Sequence, residues 1–147
     1  MKYWDATYLW DNSADAYVDL EFAASDIPGT ATSLFGQPAD RIYIGLDRTF
    51  NAAYFELEGL GSGLGTFTYQ YWDSSTWRNL PLKRLYAFNE NGVPEFPVPS
   101  NWTVRTLTDV AGSGLNSGLA AEDIAYYWIR ISQSATPTTV PTLTRSF

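Results

Sequence analysis

Thr66-Phe67-Thr68-Tyr69-Gln70-Tyr71 sets an aromatic ring at every second position and a polar side chain between. Successive side chains leave a strand on opposite faces, so this alternation is that of a half-buried strand. Working outward, the same period returns four times. Val18, Leu20 and Phe22 alternate with Asp19 and Glu21. Ile42, Ile44 and Leu46 share one face of Arg41–Leu46, and Ala53, Phe55 and Leu57 oppose Tyr54 and Glu56. Near the end, Tyr127, Ile129 and Ile131 alternate with Trp128 and Arg130. Turn formers separate these runs at Pro28-Gly29, Gly36-Gln37-Pro38, Gly59 to Gly65, Asn89 to Pro94 and Ala111 to Gly118. Short strands so spaced predict an all-β fold, an antiparallel β-sandwich of jelly-roll-like form. No stretch sustains a 3.6-residue period, and Gly118 to Ile124 has room for one helical turn at most.

The 147 residues are enough for a single domain with its own core. The sandwich is expected over residues 1–132 and an extended C-terminal arm over 133–147. Ser132 to Phe147 is rich in Thr and Pro, and Pro137 and Pro141 argue against a central position in a sheet. Such a segment reads as an arm or a final edge strand. Docking on a neighbouring subunit is the favoured reading, with Val140, Leu143, Arg145 and Phe147 as interface candidates.

Composition removes several function classes. The chain has no His and no Cys, so the common proton shuttle, thiol nucleophiles, disulfides and zinc knuckles are all missing. Sixteen acidic residues face nine basic ones, for a formal charge of −7. That balance disfavours nucleic acid and anionic membrane surfaces as partners. No run approaches the ~20 apolar residues of a membrane span. The opening Met1-Lys2-Tyr3-Trp4-Asp5 shows no apolar h-region of a secretory signal. No catalytic residue, cofactor site or metal site is expected.

Three local patterns invite chemistry and then withdraw it. Glu56 and Glu58, at i and i+2, would stand roughly 7 Å apart on a strand, within the span of an inverting glycosidase pair; two carboxylates pointing to water are the favoured reading. Asp11-Asn12-Ser13-Ala14-Asp15 opens like a calcium loop, but Ala16 and Phe22 occupy the positions that need Gly and Glu. It reads as a polar turn. Gly59-Leu60-Gly61-Ser62-Gly63-Leu64-Gly65 lacks the Lys-Ser/Thr of a phosphate loop, and a hairpin loop is expected there.

Aromatic residues are the strongest positive signal. Tyr69, Tyr71, Trp72 and Trp77 gather around Asp73-Ser74-Ser75-Thr76, with Trp102 and Tyr126-Tyr127-Trp128 further on. Trp72, Trp77 and Tyr71 are the candidate glycan platform, weighed against an aromatic core. Pro99 and Trp102 are expected to plug one end of the sandwich. Arg130 is expected to pair with a carboxylate on an adjacent strand.

The stretch Gly65 to Trp77 resembles a recurring hairpin of the form W-x-Y-W-N-G-S-x-W. Asn91 to Trp102 resembles the G-x-V-x-F-x-V-P-x-D-W segment that follows it, and Tyr127-Trp128-Ile129-Arg130 resembles its closing Y-W-I-R. Asp40-Arg41-Ile42-Tyr43-Ile44-Gly45 and Phe50 fit the opening strand of the same pattern. Together these blocks span roughly Asp40 to Pro141 and resemble small β-sandwich modules of tailed-phage virion structural proteins. The sequence departs from the pattern at Asp73-Ser74, at Lys83-Arg84-Leu85 and in a longer loop from Ala111 to Glu122. The resemblance implies a non-enzymatic virion protein, foremost a capsid decoration (cement) protein. Its partners would be copies of itself, for example in a trimer, and the major capsid protein. A tail, neck or fibre component, or a carbohydrate-binding adhesin, is the alternative.

Overall fold

The structure, a computed structural model, describes residues 4–20, 32–111 and 124–146. Among these, the alternating runs become β2 (Ala16–Asp19), β4 (Arg41–Leu46), β5 (Phe55–Gly59), β6 (Phe67–Trp72) and β8 (Tyr127–Gln133). Four more strands join them: β1 (Ala6–Asp11), β3 (Thr32–Ser33), β7 (Trp77–Asn79) and β9 (Thr142–Ser146). A short helix, α1, covers Leu107–Ala111. The strands form an antiparallel six-stranded sheet, β2-β1-β4-β8-β6-β7, and a three-stranded sheet, β3-β9-β5. The all-β sandwich is therefore as expected.

Ile42 and Ile44 of β4, Tyr69 of β6 and Ile129 and Ile131 of β8 line the inner face of the larger sheet. Phe55, Leu57 and Leu143 meet them from the smaller one. Loop aromatics fill the remaining space, with Phe88 packed on Phe35, Phe55, Phe67 and Tyr86. Trp102 packs on Phe50 and Tyr127, and its indole N–H donates to the Trp128 carbonyl at 3.1 Å, as a plug should.

A second core lies on the other face of the six-stranded sheet. Tyr8, Tyr17, Tyr43 and Trp128 are buried there with Leu107 and Val110 of α1. Thr106 starts that helix, its hydroxyl accepting from the Asp109 amide at 3.2 Å. At the other end, Trp77 Nε1 donates to the Val110 carbonyl. Gly45 on β4 is where backbone and indole come closest. A Cβ there would stand 2.7 Å from the ring of Trp128, which is fully buried. Gly45→Val is expected to cost on the order of 1–3 kcal/mol by overpacking, read as a lower thermal midpoint. An unchanged midpoint would mean the indole can slide aside.

The C-terminal segment differs from the expected arm. β9 is the central strand of the smaller sheet, pairing with β3 on one side and β5 on the other. Leu143 is 0% exposed and Pro141 is buried, while Val140 is half-buried. Pro141 stands just before the ladder, so its missing N–H costs no rung, and its carbonyl accepts from the Leu34 amide at 2.8 Å. Upstream, the Gly59–Gly65 stretch carries the chain from β5 to β6, across from one sheet to the other, and is not a hairpin loop. It serves as a bed for the segment before β9. Ser62 and Thr139 exchange backbone hydrogen bonds at 3.0 and 3.1 Å, and Gly63 adopts φ +67° with Thr138 where a Cβ would sit. The ordering of these residues is thus offset within the same chain. Phe147 and the side chain of Arg145 lie outside the described residues, as do Phe22 and residues 112–123.

One strand faces differently from its alternation. Val18 is 37% exposed, while Tyr17 beside it packs into the second core and Leu20, two residues on, into the main one.

Candidate functional site

The hairpin from β6 to β7 is built by one carboxylate. Asp73 Oδ1 accepts from the Ser75 and Thr76 amides at 2.7 and 2.8 Å, and its Oδ2 accepts from Arg78 Nε at 2.6 Å. The Arg78 guanidinium, and after it the two amides, holds the Asp73 carboxyl well below the usual carboxylate range. A proton therefore binds the folded state more weakly than the unfolded one. The resulting stability is complete above the ordinary carboxylate pKa and fades as pH falls below it. Asp73→Asn is expected to lower the melting midpoint at neutral pH, with the gap to the parent narrowing steadily as pH falls below about 5. A gap that stays constant over that range would place the contribution elsewhere.

Across this turn, Trp72 and Trp77 are register partners whose rings meet edge to face at 5.4 Å. Trp77 also packs on Tyr43, and the Arg130 guanidinium lies 4.4 Å above its ring. Arg130 thus has a neutral partner where a carboxylate was expected. Its Nε and Nη2 both donate to Gln70 Oε1, at 3.0 and 2.5 Å. Burial lowers its pKa first, with the Arg41 charge acting in the same direction. Tyr71 points to the opposite face of the sheet, where its hydroxyl donates to Asn101 Oδ1 at 2.9 Å and its ring meets Trp102. The structure therefore brings Trp72 and Trp77 together and sends Tyr71 elsewhere, so the three do not form one platform.

The other candidates resolve simply. Glu58 is exposed and Glu56 is half-buried opposite Arg145, with register shifts at Glu56/Leu57 and Leu57/Gly59 breaking the regular strand between them. Asp11 caps the turn after β1, its Oδ1 accepting from the Ser13 amide and hydroxyl and from the Ala14 amide. The Ser13 hydroxyl is the first cause of its lowered pKa. A cavity of about 350 Å³ lies beside it, lined by Leu9, Asp11, Ser33, Gln37 and Asp40 among others. Both Asp40 oxygens there accept backbone amides, from Asn12 at 3.0 Å and Gln37 at 3.2 Å. These carboxylates tie loops together. Among the described residues, no group of three or more His, Cys, Asp or Glu is placed to hold a metal ion, and no helix is long and apolar enough to cross a membrane.

Sequence reasoning missed the exposed apolar side chains. Leu85 is 74% exposed, and Leu60 and Val98 are also open to solvent. Leu85 follows two cations in Lys83-Arg84-Leu85, and that charged neighbourhood was the available signal. Comparison of the chain with protein-family models, with curated proteins and with solved structures gave no match in any of the three.

Proposed function

We propose that the protein is a non-enzymatic structural module of a bacteriophage particle, of the capsid-decoration type, acting through surface contacts with its own copies and with the major capsid protein. The observation that carries this reading is how the aromatic motif residues are used. The indole N–H groups of Trp77, Trp102 and Trp128 each donate to a backbone carbonyl, those of Val110, Trp128 and Arg105. The residues that resemble the virion pattern thus build a firm block. The two strand-borne glutamates stand apart from the cavity beside Asp11, which supports a role without catalysis. Contact residues are sought among exposed apolar side chains, Leu85 first, now that Leu143 is committed to the core. A partner that covers them removes apolar area from water, the main driving force of association.

Purified particles should carry the protein in stoichiometric amounts, and Leu85→Asp should reduce that occupancy while the isolated protein still folds. Absence from washed particles would overturn the reading. Presence confined to tails or fibres would favour a tail, neck or fibre component over decoration. A glycan-hydrolysing activity lost in the Glu56→Gln, Glu58→Gln double variant would overturn the non-enzymatic part.

A further inference from the structure

α1 covers only part of the outer face of the six-stranded sheet, the part around Gly45 and Trp128. Beyond Trp77 the face carries a different set of residues. Trp10 stands opposite Arg41, Tyr43 opposite Arg130, and Arg130 opposite Gln70, so all five share one surface. Arg41 is exposed, Trp10, Arg130 and Gln70 are half-buried, and Tyr43 forms the floor. Arg41 lies two residues from Tyr43 on β4, which makes it the diagonal neighbour of Arg130, roughly 7–8 Å away.

Two adjacent guanidiniums are unusual in this chain, which has 16 acidic residues against 9 basic ones. Like charges at that spacing repel each other. Arg130 is held by a neutral amide and a Trp77 ring, which orient it without neutralising it. Among the described residues, the acidic side chain that the strands place on this face is Asp19, out on the edge strand β2 opposite Tyr8. The arrangement fits an anion supplied from outside, and a planar guanidinium suits a carboxylate in particular.

The surroundings narrow the anion further. Thr68, Gln70, Ser132 and Asn79 complete the face with hydroxyl and amide groups, which match a densely hydroxylated ligand. An apolar pocket of the kind that a peptide side chain would fill is not among these residues. Trp10 is half-buried and braced by Tyr17 at 4.9 Å, leaving part of its indole open at the rim for a flat partner.

We propose that this part of the outer sheet face binds an acidic oligosaccharide, Arg41 and Arg130 taking a sugar carboxylate and Trp10 stacking on a pyranose ring. The site stands independently of the particle-protein reading, since it depends only on the face itself. The test titrates the full chain with four carboxylate glycans: oligogalacturonate, alginate, hyaluronate and polysialic acid. Tryptophan fluorescence and calorimetry read binding, with neutral galactan, polyglutamate and inorganic phosphate as controls. At least one acidic glycan is expected to bind saturably. Arg41→Gln should weaken it about tenfold or more, the scale of a lost charge-assisted hydrogen bond. Trp10→Ala should weaken it too. Arg48→Gln, an exposed charge beyond the end of β4, should change affinity by less than about twofold. Melting curves of each variant separate lost binding from lost folding, and Arg41, being exposed, is the variant that keeps the fold. Binding of none of the four glycans would overturn the proposal, as would equal binding of galactan. Equal binding of polyglutamate or phosphate would reduce the site to a simple anion trap, and an equal loss with Arg48→Gln would reduce it to net charge. Either result overturns the proposal.

Discussion

Truncating the chain after Val140 is expected to abolish folding, leaving no soluble sandwich behind. The deletion takes out β9, on which both β3 and β5 depend for their ladders. Among the described residues, β3 then keeps no strand partner, and β5 keeps only the isolated bridge from Phe55 to Gly92. Leu143 leaves a hole at the centre of the main core, against Phe55 and Leu57. Losing a buried leucine side chain alone costs about 2–5 kcal/mol, and each ladder hydrogen bond adds about 1 kcal/mol. Their sum approaches the whole stability of a typical domain, about 5–15 kcal/mol. Circular dichroism and thermal melting of the truncated protein measure this directly. A cooperative melt near that of the full chain would mean that the smaller sheet is dispensable, and would return the last residues to the status of an arm.

That segment also shows where the sequence was legible and where it was not. The runs Arg41–Leu46 and Tyr127–Ile131 were readable because one face of each is apolar throughout or nearly so, carrying Ile42, Ile44 and Leu46 in the first and Tyr127, Ile129 and Ile131 in the second, and both are central strands. Their other faces were misleading. Tyr43 and Trp128 sit where alternation puts solvent-facing residues, yet both are buried, because a second core covers that side of the sheet. β1 escaped notice for the same reason. Ala6, Thr7, Tyr8 and Leu9 are all buried, and a strand buried on both faces loses its period. β9 was hidden by its prolines, which forbid a rung only at their own position and leave the next five residues free to pair. Of the candidate sites, the hairpin tip was legible from Asp73 and its turn residues. The Trp10, Arg41 and Arg130 surface was not, since it joins three strands that are remote in sequence and meet only through register.

Trp128→Ala tests whether the second core carries stability of its own. The indole is fully buried, packs edge to face on Tyr126 at 5.6 Å and presses against Gly45. Its Nε1 donates to the Arg105 carbonyl at 2.7 Å, next to the bridge that ties Arg105 to Tyr126 and so positions α1. Removing the side chain opens a cavity that glycine at position 45 cannot fill and takes away one of the two donors to that carbonyl, the Tyr126 amide remaining at 2.9 Å. The expected loss is about 3–5 kcal/mol, which for a chain of this size lowers the melting midpoint by roughly 6–20 °C. Trp128→Phe separates the two contributions. It keeps most of the ring and should lose about 1–3 kcal/mol, the cost of one lost hydrogen bond and a small gap. The ordering of the two variants follows from the geometry, because packing and the hydrogen bond act on the same buried ring. If Trp128→Ala cost under about 1 kcal/mol, the helix-side cluster would be a cover on the sheet and the inter-sheet core alone would hold the fold.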